Sequence, residues 1–238
     1  PLTPGSAVDT SEEVFDLRID DFSLGITPNM TINPDFSQIE ADVPQSTVNT
    51  RFALFLPERR PFSLAGRDVF TTQMNLVNPR NITEPDVGVK LTGKSGGHVY
   101  RLMGARDSVT NIVVSGSQGS FIEQLEVDNT ATIGRYRYDF GDAAHVGVLL
   151  TDCRTDDYSN DVVSVDGRYR DTQNASLSAQ FASSDTRIPA TLIARGQSAT
   201  SDDSAYRIRY GHFGPRWGFG ATHQVLGADL RADAGFVA

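Results

Sequence analysis

Three short stretches of the chain set arginine and aspartate on one parity of an alternating pattern. Arg135, Arg137 and Asp139 alternate with Tyr136, Tyr138 and Phe140. Asp166, Arg168 and Arg170 alternate with Val165, Gly167 and Tyr169. Arg207 and Arg209 alternate with Tyr206, Ile208 and Tyr210. In an extended chain, successive side chains point to opposite faces, so each stretch has a charged face and an apolar one. Guanidinium groups can do two things on such a face. They can pair with carboxylates such as Asp139 and Asp166, or they can line a path for anionic or hydroxyl-rich solutes. The nearby acids make mutual pairing the simpler expectation.

Other chemistries find weaker support. Gly88 to Ser95 (GVKLTGKS) matches the G-x-x-x-x-G-K-[ST] phosphate loop. Its Val89 and Leu91 alternate with Lys90 and Thr92, as in a strand, which predicts a hairpin turning at Ser95 to Gly97. Acids gather at Asp152 with Asp156 and Asp157, at Asp161 beside Asn160, and at Asp202 with Asp203. Their spacing fits no EF-hand loop, so ordinary polar turns are expected and no metal site is assigned. A glycosidase pair needs two carboxylates facing one bond, and no spacing among the 30 acids singles one out. His98, His145, His212 and His223 are scattered singly, and Ser117 lacks the first glycine of a nucleophile elbow. No catalytic residue and no cofactor is assigned.

The elements that position these residues are strands. Thr132 to Phe140, Val162 to Arg170, Ala175 to Ser183 and Ala205 to His212 all alternate, and so does the stretch from Trp217 to Thr222. Gly, Asp, Asn and Ser clusters separate them. Two architectures give this pattern. In a soluble antiparallel sheet the apolar face meets a core; in an outer-membrane barrel it meets lipid while the polar face lines a lumen. The same-face arginines, the aromatics at strand ends and strand lengths of about nine or ten residues favour the barrel. The expected fold is therefore all-β, an antiparallel up-and-down β-barrel of outer-membrane type. Val163→Asp and Ile208→Asp are expected to impair membrane assembly, and Ser164→Asp to be tolerated.

Three regions are expected. Residues 1–13 form a polar, flexible arm. Residues 14–86 hold short or bent strands and an irregular Pro-rich segment, plug-like or on the periplasmic side, with a short helix over Thr47 to Leu56. Residues 87–238 carry the barrel strands. Within the second region, Arg51, Glu58, Arg59, Arg60, Arg67 and Asp68 make a dense charged group beside apolar residues. The chain begins at Pro1 and closes on Gly227 to Ala238, which reads as an interrupted strand, so it is expected to be a fragment of a larger barrel.

Several words resemble a known family: ITPNM at 26–30, NPDFSQIE at 33–40, NTRF at 49–52, PERRPF at 57–62, KLTGK at 90–94, GRYRYDFG at 134–141 and LRADAGFV at 230–237. Together they resemble the barrel module, a domain of unknown function, of bacterial outer-membrane proteins with an N-terminal family-9-like carbohydrate-binding domain. The resemblance implies a carbohydrate-binding-like domain upstream and further strands downstream. It marks Asn33, Pro34, Asp35, Phe36, Arg51, Pro57, Glu58, Arg59 and Arg60 as the plug-like motif. Only Met30, Thr31 and Ile32 separate Thr27-Pro-Asn29 from Asn33-Pro-Asp35, fewer than in the family.

Composition sets the outer bounds. The 238 residues carry 21 Lys+Arg against 30 Asp+Glu, a formal charge of −9, so nucleic acid is not an expected partner. No apolar run approaches the ~18 residues of a membrane helix. The single cysteine, Cys153, excludes an internal disulfide framework. The expected partners are the outer-membrane lipid bilayer and carbohydrate. The expected role is to anchor, or pass solutes for, an exported carbohydrate-binding-like protein. The alternatives are a soluble β-sandwich that binds glycans and an envelope-attached glycan hydrolase.

Overall fold

The computed structural model describes residues 15–18, 25–32, 70–77, 85–107, 110–116, 119–125, 128–171, 174–189, 193 and 199–235. The arm at 1–13, the helix expected over Thr47 to Leu56 and the whole plug-like motif lie outside the described residues. The strands are β1 (Phe15–Arg18), β2 (Ile26–Ile32), β3 (Pro85–Ser95), β4 (His98–Asp107), β5 (Thr110–Gly116), β6 (Gly119–Leu125), β7 (Asn129–Phe140), β8 (Ala144–Arg154), β9 (Ser159–Arg170), β10 (Ala175–Arg187), β11 (Thr200–Phe213) and β12 (Gly218–Leu226). Ten of them form one sheet in the order β1-β2-β3-β4-β7-β8-β9-β10-β11-β12, and β5 pairs with β6 as a separate hairpin. Every pairing is antiparallel between neighbours, so the chain runs up and down. The fold is all-β and antiparallel, as the alternation predicts. Among the described residues β1 and β12 are the edges of the sheet.

The connections are unequal. Gly96–Gly97, Gly141–Ala143 and Gly214–Trp217 are tight turns, and they lie at one end of the sheet, where β9 ends and β10 begins. At the other end lie the long link from β2 to β3, the inserted β5–β6 hairpin and the β10–β11 connection, together with the short Thr155–Tyr158 turn. Gly96 and Gly97 both take positive φ, 54° and 86°, as a two-residue hairpin turn requires. Gly88 to Ser95 is thus mostly strand β3 of a hairpin, not a loop curled round phosphate.

Pairing brings like residues into rows. On one face, Tyr136, Val148, Val165, Phe181, Tyr206 and Val225 stand opposite one another across six strands. Each is more than a third exposed. Leu150 and Val163 extend the band one row towards the long-connection end, and Val146 and Ile208 one row towards the tight turns. Rings close the band at the tight-turn end: Tyr138 against Phe140, and His212, Trp217 and Phe219 in mutual contact. At the opposite end the same face turns acidic. Asp152, Asp161, Asp185 and Asp202 are direct cross-strand partners in one row. These acids sit on strands rather than in the polar turns expected for them, although Asp156 and Asp157 are turn residues. Among the described residues no group of three His, Cys, Asp or Glu could hold a metal ion.

The other face is the covered one. Met103, Ala131, Ile133, Leu149, Cys153, Val162, Ala182 and Ala205 bury there against Phe70, Met74, Leu76 and Ala234. Two non-strand segments therefore lie on the inner face: residues 70–77 and the tail after β12. The sequence suggested an interrupted strand from Gly227, and the structure corrects this over residues 227–235. Polar groups of the inner face hold the tail's backbone instead of a neighbouring strand. Asp203 accepts from the Asp229 amide at 3.1 Å, and Ser184 Oγ accepts from the Arg231 amide at 3.1 Å. Buried Asn160 takes both hands: its Oδ1 accepts from the Asp233 amide at 3.1 Å and its Nδ2 donates to the Arg231 carbonyl at 3.3 Å. Gly235 lies so close to the Asn75 and Leu76 backbone that a Cβ would fall 2.3–2.6 Å from it.

The Asp233 carboxyl is buried beside the Tyr158 hydroxyl, which donates to it, and beside the Arg231 guanidinium at 3.8 Å. Burial lifts this carboxyl above its ordinary value, against the pull of Arg231. A raised folded value means that its contribution to docking is full below about 3.8 and is lost as pH rises through the raised value. Tail amides 229–233 are therefore expected to be better protected from hydrogen exchange at pH 5 than at pH 8, after correction for intrinsic rates. Asp233→Asn, which keeps an acceptor for Tyr158, should flatten that difference.

Candidate functional site

The predicted charged residues share the inner face, on β7, β9 and β11, because each sits at the parity opposite the apolar band. Arg135 and Asp166 are two strands apart and form a bidentate pair: Nη1 to Oδ1 at 2.5 Å and Nη2 to Oδ2 at 2.9 Å. Their side chains are 1% and 6% exposed. Gly147, on the strand between them, makes this possible, since a Cβ there would lie 2.7 Å from the guanidinium. Arg137 and Asp139 pair along one strand at 2.8 Å. His145 Nε2 lies 3.8 Å from Asp166 Oδ2. The pairing of inner arginines with inner acids is thus observed for Arg135 and Arg137.

The remaining four behave differently. Arg207 donates to the backbone carbonyl of Gln73 at 2.9 Å, tying β11 to the 70–77 segment. The Met74 amide donates to Gln180 Oε1 at 2.9 Å, and Gln180 Nε2 donates to Ser164 Oγ at 2.9 Å. Across the sheet, the Arg101 guanidinium stands 4.3 Å above the Phe70 ring, a cation–π contact. Arg168, Arg170 and Arg209 are exposed towards a cavity of about 700 Å³, walled by Thr71–Gln73 and floored by Ser176 and Ser178. Among its described lining residues Asp166 is the one carboxylate.

Sequence reasoning found the charged residues but not what braces them. Gly147 and the 70–77 segment carry no assigned role in the sequence, Asn160 reads there as a polar-turn residue beside Asp161, and Gln180 reads only as a polar-face position. The inward parity of β10, which places Ser176, Ser178 and Gln180 in a row, was the available signal. Plug-like residues Asn33 to Phe36, Arg51 and Pro57 to Arg60 fall outside the described residues.

This fold and face distribution define the class: an antiparallel up-and-down sheet with a wet, charged inner face and an exposed apolar outer one. No family model matches the chain, and no curated protein matches it in sequence. Among solved structures it is similar to OmpT, an outer membrane protein of Vibrio cholerae, in two forms. For the loop L8 deletion mutant the identity is 15%, the match covers 61% of this chain and 51% of that one, and the TM-score is 0.40. For the in-vitro folded protein the identity is 14%, the coverage 65% and 54%, and the TM-score again 0.40. The chain spans about half the length of these structures.

Proposed function

We propose that this chain is part of a bacterial outer-membrane β-barrel, and that it anchors, or passes solutes for, an exported carbohydrate-binding-like protein. One observation carries the membrane reading: the exposed face of the sheet carries an apolar band in register across the strands, and the charged side chains level with that band lie on the covered face. A soluble sheet has the reverse arrangement. A contiguous apolar patch of this extent in water would be an aggregation surface. From Val163 to Tyr169 the apolar band runs about 20 Å along β9, at ~3.3 Å per residue. Tight turns at the aromatic end and long connections at the acidic end match the periplasmic turns and outer loops of outer-membrane barrels. In a bilayer the edges of β1 and β12 must find partners, from further strands or another chain.

The carbohydrate-binding-like partner rests on the sequence resemblance. The rival readings fare worse. A glycan-binding sandwich would pack its apolar face against a second sheet, and none of the described residues covers it. A glycosidase needs two free carboxylates, and the cavity's described lining offers Asp166 alone, locked to Arg135.

Fractionation of cells exporting the whole protein tests the membrane reading. The expected result is recovery in outer membranes with a gel mobility that shifts on boiling. Recovery as a soluble protein with unshifted mobility would overturn it.

A further inference from the structure

We infer that the inner-face cavity is a binding site for a small multivalent anion, one bearing carboxylate or phosphate groups, clamped by Arg168, Arg170 and Arg209. The inference rests on the barrel reading only in making this cavity part of the lumen. The register builds the clamp. Ser178 of β10 stands directly opposite Arg168 on one side and Arg209 on the other, and Ser176 stands opposite Arg170. Two strand spacings separate Arg168 from Arg209, about 10 Å at their backbones, a gap that two guanidinium arms can close upon one polyanion. The serine hydroxyls beneath can donate to the same oxygens.

Charge balance points the same way. Among the described residues four arginines, Arg207 included, line this cavity against one carboxylate, that of Asp166. That carboxylate is already filled by Arg135. Among the described residues Arg168, Arg170 and Arg209 make no ion pair, in a protein whose net charge is −9. Like charges gathered in a recess repel unless an anion joins them. The volume of about 700 Å³ suits a small organic anion. Guanidinium groups match carboxylate and phosphate oxygens in bidentate fashion, whereas a neutral sugar offers no charge to balance them.

The test is calorimetric titration of the detergent-folded full chain with citrate, pyrophosphate and, as a neutral comparator, maltose. Citrate and pyrophosphate should bind, more weakly as chloride is raised, and maltose should not compete. Arg168→Gln with Arg209→Gln removes two charge-assisted donors and should weaken binding at least about tenfold. Ser178→Asp places a carboxylate between the two arginines and should do the same by occupying the clamp from within. Arg187→Gln, the loss of one positive charge at the far end of β10 on the outer face, should leave binding unchanged. Absence of anion binding, undiminished binding in both the double variant and Ser178→Asp, or maltose binding as tightly as citrate would each overturn the inference. Heat-modifiable mobility, followed in every variant, reports separately on the barrel.

Discussion

Val165→Arg will block stable insertion of the chain into lipid, while Ser178→Asp, on the neighbouring strand and the opposite face, will leave insertion intact. Val165 sits mid-band, in the row that joins Tyr136, Val148, Phe181, Tyr206 and Val225, and is 51% exposed. If lipid covers that face, an arginine there costs about 2–4 kcal/mol near the bilayer midplane. If water covers it, the same change falls within about ±0.5 kcal/mol, as at any open surface site. The two environments therefore predict results at least about tenfold apart in folding equilibrium. Urea titration of the chain folded into lipid vesicles reads the difference. Ile208→Asp, one row nearer the tight turns, should act in the same direction with a smaller cost. Ser178→Asp adds a charge to a face that already holds arginines, and those arginines can pair with it. Equal midpoints for Val165→Arg and Ser178→Asp would remove lipid from the outer face. The alternation had suggested Ser164→Asp as the tolerated change. Ser164 is fully buried, donates to the Phe181 carbonyl at 2.8 Å and accepts from Gln180, so a carboxylate there would be costly whatever covers the outer face.

What the sequence made legible was set by a period of two. Alternation fixes the face of a side chain from its neighbours alone, so the strands through Tyr136, Val165, Phe181 and Ile208 could be read directly. The structure lengthens them, the stretch from Val162 becoming Ser159–Arg170 and that from Ala175 running to Arg187. Face is local information, whereas partnership is not. Arg137 and Asp139 lie two apart on one strand, so their pair could be anticipated. Arg135 reaches Asp166 across a whole strand, past a glycine, and only the register reveals that. The tail misled for a related reason. Leu230, Ala232 and Ala234 alternate as a strand would, because they too press one parity onto the core. Their backbone, however, bonds to Asp203, Ser184 and Asn160, side chains that no local pattern links to residue 230. The 70–77 segment alternates too, with Phe70, Thr72, Met74 and Leu76 buried, yet it belongs to no strand of the sheet. Its place on the inner face comes from single long-range contacts, Gln73 with Arg207, Met74 with Gln180 and Phe70 with Arg101.

Asp166→Asn should be the most destabilising conservative change on the inner face. It keeps the volume and removes the one charge that compensates a nearly inaccessible guanidinium. Breaking a buried pair by removing one partner costs about 3–5 kcal/mol, because the survivor remains buried and uncompensated. Asp139→Asn offers the control. It breaks the Arg137 pair, whose side chains are 25% and 20% exposed, and water can replace part of what is lost. Its cost should stay nearer the ~1 kcal/mol upper range of solvated pairs. The double change Arg135→Met with Asp166→Leu discriminates further. Both charges then leave together, and stability should return to within about 1–2 kcal/mol of the parent, since buried pairs are often replaceable by apolar groups of similar volume. Urea unfolding in lipid vesicles measures all of these on one scale. Equal costs for Asp166→Asn and Asp139→Asn would mean that solvent reaches Arg135 as freely as Arg137. The inner face would then be wet throughout, and Arg135 would join Arg168, Arg170 and Arg209 as a residue open to solutes rather than a brace that holds the sheet.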